Sequence, residues 1–433
     1  MRSWHDSMLR PRLHSVCFLM GYFLLGCCLL EMGSSPVLAE TWTRFRGPNG
    51  QGAVETVLPA AFQSEDILFQ AKLPGTGHSS PVVWEDLLFV LSADPETATR
   101  YVVCLDANTG EQQWVREYPS QPHKLHQYSS YASCTPAVDE SRVYVAWSAP
   151  DETTLLALNH DGSDAWQLDL GPWVSQHGFG TSPMLHEDLV IFFNSQDGEG
   201  APGVTQPGPA YMLACDRATG REVWRSPRTA TTVSYSVPCI YQPEGGEPEL
   251  IGCQSNEALF SLDPRTGREN WSIEVFRMRT VSSPVIAGGL IFGSVGSGGG
   301  GNYLVGVRPG KDAEVAYEVR SSAPYVPTSV ARGDLLFLWS DGGIVSCIDA
   351  ATGERHWVER VGGKYFGSPI RAGDKIYCLE EGGSLVTVAA DKEFQLLGKT
   401  ELGEGSNSTP TVSGNRMYLR THSQIICVGN QDS

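Results

Sequence analysis

The chain has 433 residues, with 31 Lys and Arg against 49 Asp and Glu, a formal charge of −18, and 41% hydrophobic residues. It is long and apolar enough for a large buried core, and its composition excludes a disordered or collagen-like chain. An acidic surface of this kind repels phosphate backbones, which excludes nucleic acid as a partner.

Residues 1–39 read as an export signal. Arg2, Arg10 and Arg12 form a basic start, Val16 to Leu30 is apolar, and Val37-Leu38-Ala39 presents a small-residue cleavage site. The apolar run is shorter than the ~18–20 residues of a membrane-spanning helix. Leu24-Leu25-Gly26-Cys27 resembles a lipobox, with Leu at a position where that motif usually carries another residue. Acylation of Cys27 and attachment to a membrane face is therefore the alternative to cleavage after Ala39. Without the leader, 28 basic and 47 acidic residues remain, a charge of about −19.

Residues 40–66 form a lead-in segment, and 67–433 carry a repeat. A strand-start phrase recurs eight times, at Ser80-Pro81, Thr135-Pro136, Ser182-Pro183, Val237-Pro238, Ser283-Pro284, Thr328-Ser329, Ser368-Pro369 and Thr409-Pro410. The steps are 55, 47, 55, 46, 45, 40 and 41 residues. Turn-forming residues follow five positions later (Asp86, Ser141, Asp188, Gly289, Asp334, Asp374 and Asn415), except in the fourth copy, where Pro243 to Pro248 is a longer loop. Short apolar runs such as Leu87-Leu88-Phe89-Val90 come next and predict strands rather than helices.

A second phrase, Asp-x-x-Thr-Gly-x-x-x-Trp, follows in full at Asp106, Gly110 and Trp114; Asp216, Gly220 and Trp224; Asp263, Gly267 and Trp271; and Asp349, Gly353 and Trp357. A shortened form ends at Trp166. Asp caps the turn amides, Gly takes a positive φ, and Trp on the next strand fills the gap between neighbouring sheets. Each unit is thus a four-stranded antiparallel blade. The last copy stops without its Trp strand, and an unmatched strand around Leu68 to Leu73 carries Phe69 at the corresponding spacing, 12 residues before Pro81. The predicted fold is all-β: an eight-bladed propeller closed by an N-terminal strand that completes the last blade.

The two phrases resemble the tryptophan-docking repeat of the quinoprotein alcohol dehydrogenase-like, or PQQ-like, propellers over residues 67–428. The enzymes of that family hold pyrroloquinoline quinone with a metal such as Ca²⁺ on the axis, and many carry two adjacent cysteines. Here the only adjacent pair, Cys27-Cys28, lies in the leader, and blades of 40–55 residues leave little room for the enzymes' roofing insertions. The resemblance is therefore to the non-catalytic branch, whose best-known member is the propeller lipoprotein of the outer-membrane β-barrel assembly machine. It implies a monomeric ring without cofactor, in the periplasm or at the outer membrane or cell surface, that holds a protein partner by its face loops. A quinone- or sugar-binding oxidoreductase is the alternative.

Candidate ligand-binding residues sit in the longer early loops. His126 and Tyr131 precede the second blade, His177 the third and Tyr235 the fourth, while Asp197 follows a strand of the third. Their matching positions place them on one face near the axis. His126 and His177 are 51 residues apart, without tight metal-ligand spacing, and no Cys-x-x-Cys occurs. The eight cysteines after the leader read as small buried residues, with Cys239 and Cys253 the nearest pair in sequence. The Gly-rich stretch Ser294 to Asn302 lacks the Lys-Ser/Thr ending and helix of a phosphate loop and reads as a blade loop; Ala201 to Pro209 reads as a face loop. Asn270 and Asn407 head glycosylation triplets, and no Gly-x-Ser-x-Gly elbow is present.

Overall fold

The short apolar runs become the central strands of eight sheets arranged as propeller blades. The structure, a computed structural model, describes residues 41–201, 203–229 and 231–429; the export signal, the cleavage site at Ala39 and the acylation candidate Cys27 lie outside them. Among the described residues, no helix is long and apolar enough to cross a membrane.

Blade one runs from axis to rim as Val82–Trp84, Leu87–Ala93, Arg100–Asp106 and Gln112–Tyr118. The seven that follow repeat this order, and the eighth is Thr411–Ser413, Arg416–Arg420, Gln424–Gly429 and then Ile67–Lys72. Phe69 pairs with Cys427 in that closing strand, so first and last residues of the ring share one sheet. Second and third strands are covered on both faces by neighbouring blades, which is why they read as unbroken apolar runs. Outer strands are half exposed.

The turn phrase works by three linked devices. Asp106 Oδ1 accepts from the amides of Asn108 and Thr109, both at 2.8 Å, and Asp216, Asp263 and Asp349 repeat the pattern. The pairing of third and outer strands then slips by one residue in every blade, a bulge that re-aims the aromatic side chain. In five blades that side chain lands on the turn glycine of the next blade. Trp114 Nε1 donates to His160 O (2.7 Å), Trp166 to Arg217 O (3.0 Å), Trp224 to Pro264 O (2.9 Å) and Trp357 to Asp391 O (3.0 Å). The blade five turn lacks the phrase, and Trp271 instead donates to Glu249 Oε2 of its own blade (2.7 Å). Phe69 and Tyr317 do the same work at Gly110 and Gly353 without an indole.

The Ser or Thr opening each strand-start phrase builds a girdle around the axis. The amide of Ser80 donates to Thr135 Oγ1 (3.1 Å), and that of Thr135 to Ser182 Oγ (2.9 Å). Further round, Ser283 donates to Thr328, Thr328 to Ser368, Ser368 to Thr409, and Thr409 to Ser80, each at 3.0 Å. Blade four carries Val237 at this place. Its amide donates to Ser283 Oγ (3.0 Å), but it has no hydroxyl to offer Ser182.

The lead-in is no separate tail: it crosses the axis at the far end of the inner strands. Its backbone oxygens of Trp42 and Thr43 accept from Val83 and Val138 of blades one and two. Arg44 reaches Met184 Sδ of blade three and Pro238 O of blade four, and the Asn49 side chain pairs with both backbone groups of Ile240. Gln51 Oε1 accepts from Ile286 of blade five, Arg46 donates to Ser329 O of blade six (2.7 Å), and Gly52 O accepts from Arg371 of blade seven. Ala53–Val54 then lies parallel to Ile370–Ala372. Arg44 and Arg46 are buried without a carboxylate partner among the described residues, and burial lowers their pKa to about 10 and about 9. Guanidinium groups suit this place because inner-strand carbonyls need donors and five N–H groups can serve several at once.

All eight described cysteines are free and buried, Cys239 and Cys253 included, and burial pushes the thiols up, to about 12 for Cys104, Cys215 and Cys239.

Candidate functional site

With one end of the axis filled by the lead-in, the other end is an open cavity of about 1110 Å³. Phe45 reaches into it from the lead-in, and the hydroxyl girdle (Ser80, Thr135, Ser182, Thr328, Ser368 and Thr409) contributes to its lining. Walls come from the loops between one blade's outer strand and the next blade's inner strand, and from the turns between second and third strands. Both kinds of connection emerge on the same face of a propeller.

His126, His177 and Tyr235 line the cavity. The two imidazoles stack with centroids 4.6 Å apart and planes 5° from parallel. Arg279 Nη1 stands 2.9 Å from His177 Nε2. A guanidinium can only donate, so Nε2 is the acceptor and the proton sits on Nδ1. Burial first, then Arg279 and His126, lower the His177 pKa to about 4. Tyr235 Oη donates to Gly178 O (3.0 Å) and shares a hydrogen bond with Ser175 Oγ (3.0 Å).

Asp197 and Tyr131 are not in the cavity lining. Asp197 is buried, and its carboxylate accepts from Gln176 N and Val233 N, each at 2.7 Å. It clasps together the two loops that carry His177 and Tyr235. Tyr131 Oη donates to His123 O (2.7 Å) and accepts from His123 N (2.9 Å), with the Arg100 guanidinium 4.9 Å from its ring centroid. Both are positioning residues, because the backbone amides they serve would otherwise be unpaired.

Several wall residues carry no repeat phrase and escape a reading by motif. Arg279, Tyr325, Asp341, Lys364 and Phe366 all line the cavity. Asp341 accepts from Tyr325 N (2.8 Å) and Val326 N (3.1 Å), and burial raises its carboxyl pKa. Phe366 stacks on Tyr128 at the rim, with centroids 4.6 Å apart. Ser297, Gly298 and Gly300 of the Gly-rich stretch form part of the mouth as a turn closed by Ser297 Oγ donating to Gly300 O (3.0 Å), and no helix follows.

The residues present do not fit a quinone–Ca²⁺ pair. Calcium needs six to eight oxygen ligands, with carboxylates prominent. Among the described residues no group of three or more His, Cys, Asp or Glu can hold a metal ion, and Asp341 is the one carboxylate in the lining.

A family model described as outer membrane protein assembly factor BamB matches residues 100–326 and 318–428. No curated protein matches the sequence. Among solved structures, BamB from Moraxella catarrhalis is similar with a TM-score of 0.58 at 15% identity, over 85% of this chain and 98% of that one. The designed protein Ika8 gives 0.59 at 12% identity, over 84% and 99%. Quinohemoprotein alcohol dehydrogenase ADHIIG from Pseudomonas putida gives 0.53 at 13% identity, over 90% and 80%. At these identities the structural likenesses show the fold.

Proposed function

Because the chain belongs to the family of the outer membrane protein assembly factor BamB, we propose that it is an exported, non-catalytic scaffold that holds a protein partner in outer-membrane protein assembly. The observation that carries this reading is the asymmetry of the ring. One end of the axis is filled by a segment that reaches the first seven blades, while the other opens a cavity framed by long loops. Structural demands account for the residues at the filled end: every cation there meets a backbone carbonyl. At the open end, polar and aromatic groups face the cavity from loops anchored on rigid strands, the arrangement by which scaffolds present binding residues. The ring itself is held by bonds between every pair of neighbours except blades three and four in the girdle, so the face loops sit on a stiff frame.

Deleting the protein in its native cell tests this. The reading expects the abundance of folded outer-membrane β-barrel proteins to fall severalfold and to recover with the wild-type chain. Unchanged barrel levels would count against it.

A further inference from the structure

The charge of the cavity is opposite to that of the molecule. Across the chain, acidic residues outnumber basic ones 49 to 31, yet the lining holds Arg277, Arg279 and Lys364 against Asp341 alone. That carboxylate is already engaged by two backbone amides. Lys364 stands at the rim, 63% exposed and 3.9 Å from Glu381, so part of its charge is answered. Arg279 differs. It forms no salt bridge among the described residues: its partners are the neutral His177 imidazole at Nη1 and the Tyr325 side chain, and its Nε is buried without a partner. A guanidinium without a counter-charge, set in a concave wall, exerts a strong local field where the surrounding low dielectric screens it little.

From this geometry we propose that Arg279 receives a carboxylate from an acidic segment of the partner protein, which enters the axial cavity with aromatic or apolar side chains between its acidic ones. This rests on the scaffold reading and names the chemistry of the partner. Arg suits the role, since its planar fork pairs both oxygens of a carboxylate. The aromatic lining suits the interleaved side chains: Tyr128 and Phe366 stack at the rim, Tyr235 and Tyr325 stand beside Arg279, and Phe45 projects from below. Size accommodates a peptide, since about 1110 Å³ stands at the upper end of the ~300–1,000 Å³ of ligand pockets. A polypeptide also fits an open mouth, which leaves the chain free to run on outside.

The test titrates the purified chain, residues 40–433, with an acetylated and amidated hexapeptide of alternating Asp and Phe, its Asn-for-Asp counterpart, and phenylacetate. The proposal expects the acidic peptide to bind at least about tenfold more tightly than the neutral one and R279Q to remove that preference. R279K is expected to restore part of it, while K364Q lowers affinity about twofold. Should R279Q fail to fold, salt decides: affinity for the acidic peptide falls severalfold from ~20 to ~300 mM ionic strength. Equal binding of both peptides, salt-independent binding, no binding at millimolar peptide, or phenylacetate binding as tightly as the peptide would each overturn the proposal. None of these outcomes touches barrel-protein levels in cells lacking the chain, so failure here is separable from failure of the scaffold reading.

Discussion

The backbone amide of Thr409, in the last blade, donates to Ser80 Oγ, in the first, at 3.0 Å. This bond closes the hydroxyl girdle across a gap of more than three hundred residues, beside the strand Ile67–Lys72 that closes the outer sheet. Closure is thus made twice, once near the axis and once toward the rim.

The girdle has one missing hydroxyl, at Val237, which is buried and nearly isosteric with Thr. V237T supplies an acceptor for Ser182 where its neighbours already have one. It is expected to raise the free energy of unfolding by about 0.5–1 kcal/mol, the usual net worth of a buried hydrogen bond. Urea unfolding measures this, with an unchanged slope showing that the folded state is the one affected.

Turn glycines under docked aromatics tolerate a methyl group poorly. Gly220 has φ +73°, and a Cβ there would lie 2.7 Å from the Trp166 ring. Gly171 has φ +83°, with nothing within 4 Å of the same added atom. G171A is expected to cost about 1 kcal/mol from backbone strain alone, and G220A about 2–4 kcal/mol from strain plus overpacking. Thermal unfolding of the two variants separates the contributions.

Arg46 has no carboxylate to lose, so its loss acts through the carbonyls it serves. R46A leaves Ser329 O and Pro369 O without their donor. The expected cost is about 2–4 kcal/mol, within the range for losing charge-assisted hydrogen bonds in the interior. R46K is expected to recover less than half, since one ammonium cannot follow the guanidinium's fork. Proteolysis after Arg44 or Phe45 in R46A, absent from the wild type, would show the lead-in leaving the axis.

Two cavity histidines make stability depend on pH. Their pKa values are lowered, to about 4 for His177 and about 3 for His78, chiefly by burial. The unfolded chain, with histidine near 6.5, therefore binds these protons more readily than the folded one. Stability is expected to fall as pH drops from 6.5 toward 4, and H177Q to make the thermal midpoint less sensitive over that interval. A midpoint that rises on acidification in this window would contradict the assignment.

The repeat was legible because its devices are local. Asp106, Gly110 and Trp114 lie within nine positions, and each answers to a turn, a φ or a packing requirement readable from residue type. Blade number followed from strand-start spacing, and Phe69 disclosed the closing strand by its distance from Pro81. What the phrases did not disclose is long-range. Ser80 and Thr409 look like ordinary strand-start hydroxyls until the ring brings them together. Nothing in the phrases points to Arg44 and Arg46, which are buried because the lead-in runs across the axis. In the cavity, His126, His177 and Tyr235 were found by matching loop positions. Arg279 and Asp341 were not, since they belong to shorter blades whose loops carry no distinctive residues. Asp197 and Tyr131 were drawn to the same face by that matching, but their polar atoms are taken up by loop backbone.

The central claim, that the cavity face holds the partner, is tested most directly by site-specific photo-crosslinking in native cells. A crosslinking residue at Lys364, on the rim, is predicted to trap an outer-membrane assembly protein. One at the exposed Asn108, in a turn on the opposite face, is predicted to trap none. Crosslinks to that protein from Asn108 but not from Lys364 would contradict the account.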